Sequence, residues 1–163
     1  MRLAKVWLTD YRSYDEQEFS LDTGLTAILG PNGVGKTNLL EAIGLLATLK
    51  SFRGAPTESM IRRGASSAIV RATGERDDRE VLIELELTKG RTRAQVNKQK
   101  LQRTSDLLGA LQVTFFAPDD LALVKEGPGV RRQYVDDLMV SLEPRVDGLL
   151  TDLDRVLKQR GRY

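Results

Sequence analysis

The stretch that decides the fold is LTAILGPNGVGKT, residues 25–37, an apolar run that ends in a glycine-rich turn. Residues 30–37 match the pattern G-x-x-x-x-G-K-[ST] at every position. The next residues, NLLEAIGLLATLK, are apolar on nearly every face, as in a helix packed against a sheet. The stretch therefore predicts a short buried strand, a glycine loop and a buried helix in that order.

The glycine loop has the residue types that a phosphate site requires. Gly33 and Gly35 let the backbone curl so that successive N–H groups converge on an anion, and the positive end of the next helix adds to the field. Lys36 can bridge the β- and γ-phosphates, and the Thr37 hydroxyl can coordinate Mg²⁺. The alternative is a helix-capping turn with an incidental Lys-Thr. The predicted ATP site consists of Gly30, Pro31, Asn32, Gly33, Val34, Gly35, Lys36 and Thr37, with Thr37 as the Mg²⁺ ligand.

Composition limits the chemistry that this chain can perform. Its 163 residues are 40% hydrophobic and 29% charged, with a net charge of +2, which is typical of a soluble globular protein. No apolar run is long enough for a membrane span and no signal peptide is recognisable, so we expect a cytoplasmic protein. The absence of cysteine and histidine excludes disulfides, thiolate metal sites and the usual general base.

The remaining pattern predicts an α/β fold. Short strands are expected at 3–8 and 18–21, joined by the connection 9–17. The run EVLIELELT, 80–88, alternates strictly and predicts a half-buried antiparallel strand that turns through KGRTR into a partner strand around RAQVN. The run LQVTFFA, 111–117, predicts another strand.

Two helices are expected at the carboxyl end of the chain. One begins near Gly129 and the other follows Pro144. The second helix carries an apolar stripe at spacings of three and four residues, for which the chain offers no obvious cover except the sheet.

Two aspartates are candidates for holding magnesium in a hydrolytic site. Asp119 and Asp120 follow the apolar run and Pro118, and they could bind the metal or cap a helix. Glu84 is a poorer candidate, because the alternation continues beyond it and places it in the middle of a strand.

A basic segment lies between residues 89 and 103. It contains six basic residues and no acidic one, so a hairpin carrying it could lie against a DNA backbone. The alternative is a solvated hairpin edge whose charges prevent aggregation. The basic residues are Lys89, Arg91, Arg93, Lys98, Lys100 and Arg103.

Taken together, these segments resemble a known family. Residues 2–54, from RLAKV to SFRG, resemble the amino-terminal lobe of the ABC-type ATPase heads of structural-maintenance-of-chromosomes proteins. Residues 95–139, including FFAPDDL and RRQYVDDLM, are similar to the RecF family of bacterial recombination mediators. The resemblance implies a phosphate-loop lobe with a mixed sheet and an antiparallel layer over residues 1–127, and helices leading toward a second region over 128–163.

The resemblance also suggests further site residues. It places Asn32 near the γ-phosphate, Arg12 and Ser13 in contact with the nucleotide, and Ser51 and Arg53 near the base. From the residues alone, Arg12 and Arg53 could equally be solvated loop arginines. The resemblance moves Asp119 and Asp120 out of the magnesium role.

The function implied by the resemblance is ATP-dependent DNA binding in recombinational repair, replication and the SOS response, in the bacterial nucleoid. Two heads would trap ATP as a homodimer, clamp duplex DNA near single-strand gaps, and load recombinase with RecO- and RecR-type partners. Such heads carry their magnesium aspartate, catalytic glutamate and signature serine in a second lobe. We therefore expect this chain to be a truncated first lobe that binds nucleotide weakly at best and hydrolyses no ATP measurably.

Two other functions fit the residues. One is a complete small phosphate-loop kinase in which Asp119 and Asp120 hold magnesium. The other is a catalytically inactive, DNA-binding regulatory lobe.

Overall fold

The computed structural model describes residues 1–116 and 127–160. The chain forms two compact units, Met1–Val113 and Thr114–Tyr163. The first unit is a six-stranded sheet with helices, and the described part of the second is a pair of helices. The expected division at residue 127 remains a prediction.

The sheet of the first unit is antiparallel at every pairing, in the order β2-β1-β3-β4-β5-β6. Tight turns join β3 to β4 through Asp77 and Asp78, and β5 to β6 through Asn97 and Lys98, and all four residues have positive φ. Paired positive φ values match the right-handed twist of hairpin strands. The strands are β1 Arg2–Tyr11, β2 Tyr14–Ser20, β3 Ser67–Arg76, β4 Arg79–Thr88, β5 Arg91–Val96 and β6 Gln99–Lys100.

The register of the sheet separates an apolar face from a charged face. Val70 pairs with Leu85, and Leu85 pairs with Ala94, so these buried residues share one face. On the opposite face Arg71 pairs with Glu84 and Glu84 pairs with Gln95. The alternation predicted for 80–88 is therefore confirmed, because side chains in a strand point to the two faces in turn.

The apolar face is covered by α1, Lys36–Thr48, which lies against β3 and β4. The predicted helix is confirmed, and Leu39, Ala42 and Leu46 are among its buried residues. After α1 the chain forms a short helix, α2 Thr57–Met60, and Ile61 then makes an isolated antiparallel bridge with Tyr11.

The second unit contains α3 Pro128–Leu142 and α4 Val146–Arg160. Both predicted helices are confirmed, and proline stands at the start of α3, where its missing N–H is tolerated. The stripe of α4 is exposed to solvent at Leu149, Leu153 and Leu157. None of the helices in the described ranges is long and apolar enough to cross a membrane.

Two strand predictions are wrong. Residues 25–29 form no strand, and Leu25 and Leu29 are 95% and 88% exposed. Residues 112–116 also form no strand, and Phe116 is 93% exposed. A strand forms only where another segment completes its hydrogen-bond ladder, and no described segment pairs with either run. The parallel pairing that a mixed sheet requires is likewise not found among the described strands.

The amino-terminal hairpin is longer than predicted, and β3 was not predicted at all. Most of the expected connection 9–17 is strand, which leaves only Arg12 and Ser13 as the turn between β1 and β2. In β3, small Ala68 and Ala72 alternate with Val70 and weaken the apolar signal. Asp119 and Asp120 lie outside the described residues.

Candidate functional site

The glycine loop leads directly into α1. Gly35 caps the helix with φ 113°, and Gly33 has φ 85°, a region that side chains with a Cβ rarely adopt. A Cβ on Gly35 would lie 2.8 Å from Ser13 Oγ and 2.9 Å from the Tyr14 hydroxyl. A residue with a Cβ at position 35 would therefore be strained by its φ and would require the Ser13 and Tyr14 hydroxyls to move.

The loop and the first turn of α1 fit a polyphosphate. Lys36 Nζ donates hydrogen bonds to the carbonyl oxygens of Gly30 and Pro31, at 2.7 and 2.8 Å, which hold the ammonium group beside the loop. Asn32, Val34 and Thr37 are exposed. No acidic residue lies in the first turn of α1, so no carboxylate competes with an anion for the helix N-terminus.

Magnesium would depend on the phosphates for most of its ligands. Thr37 can supply one hydroxyl oxygen, and Mg²⁺ at such sites is completed by phosphate oxygens and water. Residues 1–116 and 127–160 contain no cluster of three or more acidic side chains that could hold a metal alone. The site therefore fits magnesium bound together with a nucleotide.

The turn between β1 and β2 packs against the loop. The Tyr14 hydroxyl donates to the Gly35 carbonyl at 3.0 Å, and Asn38 Nδ2 donates to Ser13 Oγ at 3.0 Å. The predicted residue Ser13 therefore lies at the loop, next to the first turn of α1.

Arg12 is bound to a carboxylate one turn further along α1. Its Nε and Nη2 donate to the two oxygens of Glu41 at 2.8 and 2.7 Å, and Nη1 donates to the Ser59 carbonyl at 2.9 Å. The hydrogen bond to Glu41 raises the pKa of Arg12 above its ordinary value. Most donors of this guanidinium are thus already engaged within the protein.

Arg53 approaches the same carboxylate more loosely. Its Nη1 donates to Asn38 Oδ1 at 3.3 Å and lies 4.0 Å from Glu41 Oε2, and 47% of its side chain is exposed. Ser51 Oγ donates to Glu41 Oε1. The residues predicted from the resemblance therefore meet around Glu41, which the sequence analysis did not single out.

Glu41 is the only buried charged residue in the described part of the chain. Burial alone raises the pKa of its carboxyl, but the hydrogen bonds from Arg12 and Ser51 outweigh burial and lower the pKa below its ordinary value. Glu41 is therefore an anion in the folded protein near neutral pH. The available signal was a single charged residue within the apolar helix run NLLEAIGLLATLK.

Sequence comparison assigns this region to a family. The model of the AAA domain family matches residues 5–120, a range that includes the loop, α1 and the whole sheet after its first residues. The chain belongs to the AAA domain family.

The relatives of this AAA domain confirm the resemblance to RecF. This chain is 50% identical to the DNA replication and repair protein RecF of Kineococcus radiotolerans. The similarity extends over 98% of this chain and 41% of that protein. A solved structure of the recombination mediator RecF with ATP matches 98% of the chain and 43% of its own chain, with 30% identity and a TM-score of 0.91.

A more distant match supports the same fold. The SMC head domain from Thermotoga maritima matches 66% of this chain and 41% of its own, with 28% identity and a TM-score of 0.55. The expected α/β phosphate-loop fold of the head type is therefore confirmed. The chain spans about two fifths of the length of the curated relatives it matches.

The basic residues of the AAA domain are only partly brought together. Arg91, Arg93 and Lys100 line a groove of about 360 Å³ along β5 and β6, on the charged face of the sheet. Glu86 also lines this groove and binds Arg93 at 3.1 Å. Arg91 and Lys100 form no ion pair with another described residue.

The other candidates do not line this groove. Lys98 is in the turn between β5 and β6, and Arg103 is exposed beyond β6. Lys89 lies in the turn between β4 and β5, which is at the opposite end of β5 from Lys98.

Proposed function

We propose that this chain is the ATP-binding lobe of a RecF-like, ATP-dependent DNA-binding protein of recombinational repair and replication. The observation that carries the proposal is the phosphate loop, in which Lys36 and an exposed Thr37 begin α1 and no acidic residue lies in the first turn of the helix. Similarity to RecF over 98% of the chain supports the biological assignment.

ATP would bind with its phosphates over the loop and the N-terminus of α1. The backbone N–H groups of residues 33–37 and Lys36 would hold the phosphates, and Thr37 would hold Mg²⁺. Ser13 and Arg53 would contact the nucleotide from the side, since both lie beside Asn38 on the first turn of α1. In the full-length protein, ATP would join two heads as a homodimer.

Duplex DNA would bind the charged face near β5 and β6. Arg91 and Lys100 are the best placed contacts, because neither forms an ion pair with another described residue. Arg93 would first have to leave Glu86. Preference for gapped DNA, recombinase loading, RecO- and RecR-type partners and a cytoplasmic location are part of the same proposal and come from the resemblance.

The kinase alternative is less well supported than the RecF-like function. The match to RecF proteins over 98% of the chain favours a DNA-repair role, and no observation favours a small acceptor substrate. A kinase would produce ADP only when an acceptor is added, so assays with a panel of nucleosides separate the two functions. The catalytically inactive, DNA-binding regulatory lobe would be favoured by salt-dependent retention on duplex DNA that is lost when Lys98 and Lys100 are neutralised.

Nucleotide binding can be tested with a fluorescent ATP analogue titrated against the purified chain. We expect Lys36→Ala to weaken binding at least about tenfold, because the charged hydrogen bonds of an ammonium to phosphate are lost. Lys89→Ala removes the same charge from a distant turn and should bind as the parent chain does. Equal binding by Lys36→Ala and the parent chain would contradict the proposal.

DNA binding can be tested by the salt dependence of duplex affinity. Replacing Arg91 and Lys100 with Gln should reduce the slope of log K against log salt by about 2, since each phosphate contact contributes about 0.9. The control exchanges Arg2 and Lys5, which are also basic but pair with Glu75 and Glu18. An equal loss of slope in both double variants would show that net charge, rather than this groove, governs binding.

A further inference from the structure

The buried carboxylate of Glu41 joins three parts of the chain at the phosphate loop. It lies on α1, the helix that also carries Lys36 and Thr37. Arg12 reaches it from the turn between β1 and β2, and Ser51 and Arg53 reach it from the segment after α1. One side chain therefore connects the loop helix to the turn between β1 and β2 and to the segment after α1.

The polar contacts around Glu41 close into a ring. Arg12 binds Glu41, and its neighbour Ser13 accepts a hydrogen bond from Asn38. Asn38 in turn accepts one from Arg53, which lies 4.0 Å from Glu41. The ring borders the loop directly, since a Cβ on Gly35 would lie 2.8 Å from Ser13 Oγ.

Stability alone does not explain a carboxylate at this position. A buried ion pair is often no more stabilising than apolar side chains of similar volume, because both charges must leave water. Arg12, which binds Glu41, also has φ 53°, in a region that costs free energy for residues other than glycine. Such a combination of burial and strain is common where side chains must be held for binding.

We propose that Glu41 is a positioning residue of the nucleotide site, which holds Arg12 and Arg53 beside the phosphate loop. Its two-point contact with Arg12 fixes the turn that carries Ser13. Its longer contact leaves Arg53 with donors available for a bound nucleotide. Glu41 acts through these residues and needs no contact with the nucleotide itself.

The proposal rests on ATP binding and is tested on a chain in which Lys36-dependent binding has been shown. Glu41→Gln keeps the shape of the side chain and removes its charge. We expect the dissociation constant for ATP, corrected for the folded fraction, to rise about tenfold. Glu84→Gln is the matched control, because Glu84 also accepts hydrogen bonds from an arginine but lies on the charged face of the sheet.

Repeating the Glu41→Gln measurement in an Arg53→Ala variant distinguishes a positioning role of Glu41 from a purely structural one. In Arg53→Ala, the further effect of Glu41→Gln on ATP affinity should shrink to a fraction of its effect in the parent chain, since one of its two routes is gone. Unchanged ATP affinity in folded Glu41→Gln, or an equal loss in both backgrounds, would overturn the proposal. Failure of the parent chain to bind ATP would instead contradict the proposed function.

Should Glu41→Gln not fold, Ser51→Ala removes a hydrogen bond to the same carboxylate from a partly exposed position. We then expect a loss of ATP affinity of about threefold, again smaller in the Arg53→Ala background. Full retention of affinity in Ser51→Ala would count against the positioning role.

Discussion

Two groups of arginine–glutamate pairs in the first unit have similar geometry and different surroundings. At the phosphate loop, Arg12 binds Glu41, whose side chain is 0% exposed. On the charged face of the sheet, Arg71 binds Glu84 and Arg93 binds Glu86, with arginine side chains 44% and 51% exposed and glutamate side chains 14% and 32% exposed. Water screens the second group more than the first, so pairs with similar geometry should contribute differently to the free energy of unfolding.

The two groups of pairs also differ in the elements that they join. The buried pair joins elements that are distant in sequence around one site. The pairs on the charged face join neighbouring strands. We therefore expect substitutions in the first group to affect both folding and binding, and substitutions in the second to affect little beyond surface charge.

The largest expected effect comes from Glu41→Ala. This change leaves the Arg12 guanidinium, only 17% exposed, without its carboxylate, and should destabilise the chain by about 4 kcal/mol. Glu84→Ala leaves the Arg71 guanidinium, whose side chain is 44% exposed, in contact with water and should destabilise the chain by less than about 1 kcal/mol. Urea unfolding of both variants measures the contrast, and similar losses would mean that burial does not distinguish the two groups.

Gly35→Ala is expected to have the next largest effect. The new Cβ would contact Ser13 and Tyr14, and the alanine would have to adopt a positive φ. Together these effects should lower the free energy of unfolding by about 3 kcal/mol. Gly33→Ala imposes a positive φ in open space and should cost about 1 kcal/mol. If thermal or urea unfolding finds the two variants equally stable, the packing of the hairpin turn on the loop is weaker than the contacts indicate.

Acidic pH is expected to have a smaller effect on the free energy of unfolding. Arg12, Arg53 and Tyr11 are the ionisable groups that face Glu41, and the hydrogen bonds lower the pKa of Glu41 in the folded chain despite burial. The unfolded chain therefore binds the proton more tightly, so the stability from Glu41 is present above its unfolded pKa and is lost as pH falls through the folded pKa.

The measurement is urea unfolding at a series of acidic pH values, for the parent chain and for Glu41→Gln. The stability difference between them should narrow as the pH falls. Glu18 also has a lowered pKa, through hydrogen bonds from Lys5 and Trp7, but it is present in both chains and cancels. A difference that stays constant with pH would show that Glu41 does not ionise as inferred.

The smallest effect is expected for Arg93→Gln. Its pair with Glu86 is exposed, so the free energy of unfolding should change by no more than about 0.5 kcal/mol. Thermal unfolding at low and high salt would detect any larger contribution. If Arg93→Gln lowered the free energy of unfolding as much as Glu41→Ala, the buried and the partly exposed pairs would not differ in their contribution to stability.

Local patterns were sufficient for the elements that satisfy their own hydrogen bonds or carry a strong periodicity. The helix after the loop, the alternating strand β4 and the two final helices follow from spacing that a single segment displays. The phosphate loop could be predicted because its glycines adopt positive φ angles that other residues rarely adopt.

Other features depended on partners that a single segment does not reveal. The apolar runs 25–29 and 112–116 resemble buried strands, yet no described segment pairs with them. Strand β3 was missed because its alanines give a weak apolar signal. Their burial depends on the pairing of β3 with β1 and β4, which the segment alone does not reveal. The basic segment was read as one surface, but a strand places its two ends far apart.

By itself, the sequence determined that this chain has a phosphate loop, because that loop is built from consecutive residues whose conformations are set locally. The resemblance then supplied Arg12, Ser13, Ser51 and Arg53. Only the tertiary structure showed that Arg12, Ser51 and Arg53 surround Glu41, because a buried charge is stabilised by partners from distant segments. A glutamate in an apolar helix does not reveal those partners until the chain is folded.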